Sequence, residues 1–288
     1  VITSAVEHPA VLEVCATLAR REGLRLTVLP VDRAGHVKVA DLRAALDETT
    51  LLVSVMHANN EVGTLQPIAE LAAEAHAAGA LFHCDAAQSI GKVPVDVDTL
   101  GVDLLTLAGH KLYAPKGIGA LYIRRGTALE PLMQGAGHES GRRPGTENTL
   151  HIVGLGRAAV LARGHVGEAP EVAALRDELE ALLVENLGRE SVVLNGHRDE
   201  RLPNTLSVGF VGSRADALLA ALDDQVAASA GAACHGDGGE RISSVLEAMA
   251  VPREVARGTL RLSLGRTTSR EDIRNAAAAI ISAVRSSA

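Results

Sequence analysis

The sequence predicts an α/β protein with a large domain on a mainly parallel sheet, followed by a smaller α+β C-terminal domain. Three observations predict this. Strand-like and helix-like segments alternate from the first residue to about residue 123. The run "TLLVSVM" is apolar and rich in branched side chains, as a parallel strand covered on both faces must be. After Asn148 the order changes to long helical stretches followed by short strands. The boundary is placed near Gly164, giving domains over 1–163 and 164–288.

The elements follow in order. "VITSAVEH" reads as a strand running into a turn. "AVLEVCATLARREG" sets Val11, Leu12, Cys15, Leu18 and Ala19 on one helical face and stops at Gly23. "LRLTVLPV" is a strand and residues 40–46 a helix, followed by the strand "TLLVSVM". An alanine-rich helix over 68–78 leads to the strand "ALFHCD", and "DLLTLAG" and "GALYI" complete the first sheet. A helix over 150–162 ends at the Gly/Pro break "RGHVGEAP", and a long helix covers 171–187. Strands "SVVLN" and "NTLSVGF", helices over 215–222 and 242–249, the strand "TLRLSL" and a terminal helix make up the second half.

Composition narrows the function. With 28 basic and 35 acidic residues, a net charge of -7 and no Lys/Arg run, the chain lacks a stripe that would track nucleic acid. No apolar run reaches the length of a membrane span. Cys15, Cys84 and Cys234 are too few and too scattered for a disulfide framework, which points to a reducing, cytoplasmic setting. No Cys-x-x-Cys or His-x-x-x-His pair occurs, so no metal site is expected. The chain begins at Val1 without a Met, which suggests that an N-terminal segment is missing.

In an open parallel sheet, ligands gather at the carboxyl ends of the strands. Three strand ends here deliver polar residues. "SVMHANNE" brings Asn59 and Asn60, "LFHCDAAQ" brings Asp85 and Gln88, and "LLTLAGHK" brings His110 and Lys111. The strand period of two puts Asp85 on the face of His83 and turns Cys84 away. Taken singly, each has a plainer role. Asp85 can cap a helix, Asn60 can sit in a turn, and Lys111, His8 and Arg266 can be surface residues.

Taken together with "HCDAAQSIGKVPVD", "AGHKLYAPKGIGALY", "RRPGTENT", "SAGAACHGD" and "LRLSLGRTT", they resemble the successive motifs of the cysteine desulfurases and selenocysteine lyases. These are pyridoxal-phosphate enzymes of the class-V aminotransferase group, and the match runs in order along nearly the whole chain. It implies an aminotransferase-like fold with pyridoxal 5'-phosphate held covalently by Lys111. Asp85 would face the pyridine nitrogen, Gln88 the phenolic oxygen and His110 the phosphate. The family often has a serine two residues before that histidine, where this chain has Ala108. His8 would stack on the ring and relay protons, Asn60 would lie beside ring and substrate, and Arg266 would clamp the substrate carboxylate. Thr146 would reach the neighbouring subunit's phosphate, which implies a homodimer.

Cys234, in a stretch of small and polar residues next to His235, would take sulfur from L-cysteine as a persulfide and pass it to an acceptor protein. Cys15 and Cys84 read as core. Three alternatives stay open: a lyase for L-selenocysteine, a transaminase-like relative in which Cys234 is a bystander, and a catalytically impaired fragment. The last is raised because no glycine- and Ser/Thr-bearing phosphate loop precedes His8.

Overall fold

In the computed structural model, residues 1–230 and 242–287 are described. The expected alternation is present. Strand β1 (Ile2–Ser4) is followed by α1 (Pro9–Glu22), β2 (Thr27–Leu29), α2 (Val39–Ala45), β3 (Leu52–Met56) and α3 (Ile68–Ala77). Then come β4 (Leu81–Asp85), the short α4 (Val97–Leu100), β5 (Leu104–Ala108) and β6 (Gly119–Ile123). Helices α5 (Thr149–His165) and α6 (Ala169–Leu187) lead to β7 (Val192–Asn195), β8 (Thr205–Phe210), α7 (Ala215–Leu222) and β9 (Ser229–Ala230). The chain ends with α8 (Ser244–Ala248), α9 (Arg253–Ala256), β10 (Thr259–Ser263) and α10 (Arg270–Ser287).

The first sheet has strand order β2-β1-β3-β4-β5-β6. Its first five strands are parallel, and β6 runs antiparallel to β5. The carboxyl ends of β1, β3, β4 and β5 therefore share one rim, which is where a parallel sheet collects a site. Helix α1 starts sharply because His8 caps it, accepting the Ala10 N–H at 3.1 Å, with Pro9 in the first turn. It stops at Gly23, whose φ of 68° is left-handed and suits glycine.

The second sheet, β7-β8-β10-β9, is antiparallel throughout. Each sheet has its own core of aliphatic side chains, and the two phenylalanines are divided between them. Phe82 lies with Val53, Val55 and Leu71 in the first core, and Phe210 with Leu206 and Leu218 in the second. A smaller cluster of Val6, Val62, Leu246 and Met249 joins the turns after β1 and β3 to α8, so the halves are packed together.

The expected break at "RGHVGEAP" is absent. Helix α5 runs on through Gly164 to His165, one 3-10 turn follows, and α6 begins at Ala169. Proline is tolerated there because it falls in the first turn of α6, where its missing N–H has no helical partner to lose. The sequence boundary at 163/164 thus falls within the last turn of a helix. Leu132, Leu150 and Val153 are 96%, 78% and 72% exposed, an apolar stretch before and along α5 that this chain leaves uncovered. No helix among the described residues is long and apolar enough to cross a membrane.

Candidate active site

The rim of the first sheet is built from the turns after its strands. Lys111 sits in a 3-10 turn, Gly109–Leu112, immediately after β5. Its side chain is exposed. Its pKa is nevertheless lowered, first by partial desolvation and then by the positive charge of Arg261. Asp85 ends β4, level with Thr106 on β5. One of its oxygens, Oδ1, accepts the Ala87 N–H at 2.9 Å and holds a turn; no helix follows for it to cap, contrary to that plainer expectation. His83, two residues earlier, bridges Ser54 and Thr106 at 2.8 Å on each ring nitrogen, and burial lowers its pKa.

The two asparagines divide their duties. Asn59 is fully buried and structural: it accepts the Glu61 and Val62 N–H groups and donates to the Val6 carbonyl. Asn60 is half-buried, and its backbone carbonyl accepts the Arg261 guanidinium at 2.9 Å. Arg261 therefore reaches from β10 of the second sheet to the turn after β3 and acts electrostatically on Lys111. Sequence reasoning missed it. The available signal was the alternation of "TLRLS", which points Leu260 and Leu262 into the core and Arg261 to the other face.

Gln88 is held by a second amine that was also missed, Lys92. Its Nζ donates to the Gln88 backbone carbonyl at 2.7 Å and to the Gln88 side-chain oxygen at 3.0 Å. Burial, and then Lys111, push its pKa down to about 8. Lys92, Lys111, Tyr113 and Arg266 line a common cleft between the two halves of the chain. Arg266 is exposed; its backbone N–H donates to the Tyr113 hydroxyl at 3.2 Å and its guanidinium lies 4.6 Å from the Tyr113 ring centre. Tyr113 has a φ of 63°, a costly conformation for a tyrosine, and it closes the turn that carries Lys111.

The other expected residues stand apart from this cleft. His8 is exposed at the start of α1, and its Nδ1 is an acceptor, so the neutral ring carries its proton on Nε2. Glu7 beside it is buried. One oxygen accepts from Ser4 and from the Met56 N–H, and the other has no partner. His110 and Thr146 are exposed, and Asp85, Asn60, Gln88, His8, His110 and Thr146 do not line the cleft. Cys234 and His235 lie outside the described residues. Cys15 and Cys84 are buried free thiols, as expected of core residues.

Among the described residues one group, His36, His197 and Glu200, has the proximity of a metal site. His197 Nδ1 accepts the Glu200 N–H at 2.8 Å, which leaves the proton on Nε2, 4.0 Å from a carboxylate oxygen of Glu200. That nitrogen therefore faces the carboxylate as a donor, without the lone pair a metal needs.

Asn60, Asp85, Gln88 and Lys111 end or follow parallel strands of one sheet, and the cleft beside Lys111 brings in Arg266 from the second half of the chain. A family model, "Aminotransferase class-V", matches residues 1–275. The chain belongs to the class-V aminotransferase family. Cofactor dependence on pyridoxal phosphate and the aminotransferase-like fold come with that membership. It is 48% identical over 275 residues to a cysteine desulfurase of Gluconacetobacter diazotrophicus, covering 95% of this chain and 68% of that one. A solved "NifS-like protein" superposes with a TM-score of 0.87 at 36% identity, covering 98% of this chain and 73% of the other. The solved "SspA in complex with cysteine" gives a TM-score of 0.74 at 34% identity, over 91% and 72% of the two chains.

Proposed function

We propose that this chain acts as a cysteine desulfurase, taking sulfur from L-cysteine, leaving L-alanine, and handing the sulfur to an acceptor protein. The observation that carries this is the cleft shared by Lys111 and Arg266, which sets an amine of lowered pKa opposite a guanidinium suited to a carboxylate. Bound pyridoxal phosphate supplies an electron sink for the substrate's α-carbon. Lys111 would hold the cofactor and, as a free amine, take and return the α-proton. Asp85 would favour a protonated pyridine nitrogen, and Gln88 would donate to the phenolic oxygen. His110 would bind the phosphate. Asn60 and His8 would complete the site, His8 with Nε2–H as its donor.

Arg266 binds the substrate carboxylate, and Tyr113 holds Arg266 in place. Tyr113→Ala is therefore expected to raise KM for L-cysteine about tenfold with kcat changed less, the combined loss of a hydrogen bond and a cation–π contact. Tyr113→Phe, which keeps the ring, is expected to raise it only about threefold. Steady-state kinetics of the two variants checks the order; equal KM values in both and the parent would remove Tyr113 from the site.

Cys234 is the proposed persulfide carrier. The deciding experiment gives the protein L-cysteine and measures alanine and sulfide. Cys234→Ala is expected to stop sulfur release while the cofactor stays bound to Lys111, and sulfide at the parent rate from that variant would rule the nucleophile out. L-Selenocysteine is the competing substrate, and the cysteine desulfurase relative at 48% identity favours cysteine. Homodimer formation, with Thr146 reaching a neighbour's phosphate, is supported by the uncovered apolar side chains on α5, which starts three residues later. A reducing, cytoplasmic setting fits the buried unpaired Cys15 and Cys84.

A further inference from the structure

Lys92 occupies an unusual place for a lysine. Its ammonium is largely desolvated, yet it forms no ion pair with a carboxylate among the described residues, and its hydrogen bonds both go to Gln88. Burying an uncompensated charge is costly, so a merely structural lysine is better placed in solvent or beside an acid. The bond to the Gln88 backbone carbonyl alone would close the turn. The bond to Gln88 Oε1 does something further.

A side-chain amide has an oxygen end and an N–H₂ end of nearly the same shape, and unaided it can sit either way round. An ammonium has donors only, so it accepts none but the oxygen end. With Oε1 on Lys92, the Gln88 N–H₂ must face the other way. We propose that Lys92 is a positioning residue that locks the Gln88 amide so that its N–H₂ end is offered to the phenolic oxygen of pyridoxal phosphate. This rests on the reading of Gln88 as the residue that meets that oxygen.

Two more observations agree. The Lys92 turn is clamped from outside: a Cβ on Gly91, whose φ is 77°, would come within 2.9 Å of both Ala162 on α5 and Leu112 beside Lys111. The backbone from which Lys92 reaches Gln88 is therefore fixed. Lys92 also lines the cleft with Lys111, whose charge acts on it.

The test is made on the whole 288-residue chain with ¹⁵N-labelled glutamine and pyridoxal 5'-phosphate as the probe. The Gln88 side-chain signal is identified by its disappearance in Gln88→Leu. In Lys92→Met the amide pair is expected to move or broaden in the cofactor-free protein, and the dissociation constant for pyridoxal phosphate to rise about tenfold, the worth of one oriented hydrogen bond. Lys92→Arg, which keeps a donor-only cation, is expected to restore the parent signal. If Lys92→Met does not fold, Lys92→Gln takes its place. An unmoved amide signal with an unchanged dissociation constant in the Lys92 variant overturns the proposal while Gln88→Leu still weakens binding. If Gln88→Leu binds the cofactor as tightly as the parent, the reading of Gln88 fails and the proposal falls with it.

Discussion

Lys111→Ala is expected to lower alanine formation from L-cysteine by at least about a thousandfold, roughly 4 kcal/mol of activation barrier, with the fold intact. Both halves of that expectation follow from the position of the side chain. Among the described residues Lys111 makes no hydrogen bond and no ion pair, and it is exposed at the mouth of the cleft, so removing it breaks no packing. Its unfolding free energy should stay within about 0.5 kcal/mol of the parent, as for other exposed substitutions. The amine itself has no substitute. Lys92 is also depressed in pKa, but both its bonds hold it on Gln88, and Arg261 offers a guanidinium, already bonded to the Asn60 carbonyl, in place of an amine. Lys111→Arg should be as inactive as Lys111→Ala, because a guanidinium neither holds an aldehyde nor gives up a proton near neutrality. Borohydride reduction of the cofactor-loaded parent followed by peptide mapping should place the label on residue 111. Turnover of the alanine variant at the parent rate, or a label elsewhere, would defeat the assignment.

Why some of this could be read from the sequence and some could not is a matter of range. The strands were legible because a strand covered on both faces needs an unbroken apolar run, as in β3, and because β4 alternates Phe82 and Cys84 inward with His83 and Asp85 outward. The rim followed, since parallel strands put their carboxyl ends together. What failed was local punctuation. "RGHVGEAP" carries two glycines and a proline, but glycine only weakens a helix and Pro170 falls in the first turn of α6, so a helical path runs through them. What was missed is long-range. Arg261 meets Asn60 across 201 residues, and Arg266 meets Tyr113 across 153, and no periodicity reports such a contact. Lys92 lies only four residues after Gln88, but the segment between them is a turn rather than a helix, so no helical period reports the pair either.

Glu7 supplies the second large effect, through pH. Its carboxyl is buried with one unpartnered oxygen, and desolvation, opposed by the bonds from Ser4 and Met56, raises its pKa to about 8; the charge of Asp85 adds to the rise. The proton must sit on Oε2, because Oε1 already accepts two hydrogen bonds. A raised carboxyl pKa means that the native state holds this proton where the unfolded chain has lost it, so its contribution is whole below the ordinary value of 4.5 and is lost as pH rises to about 8. The slope is roughly 1.4 kcal/mol per pH unit for one proton. Bases lowered by burial pull the opposite way, and the two most strongly lowered do so outside the middle of this window. Buried His57, lowered to about 4, gives stability that grows as pH rises toward 6.5, and Lys92, lowered to about 8, does the same above 8. Between 6.5 and 8 the loss due to Glu7 is therefore the least masked. Glu7→Gln keeps the acceptor for Ser4 and Met56 and puts an uncharged N–H₂ where Oε2–H was. It is expected to match the parent near pH 5 and to exceed it by several kcal/mol at pH 8.5, measured by urea unfolding across that range. Parallel stability curves for parent and variant would mean that Glu7 is ionised in the folded protein.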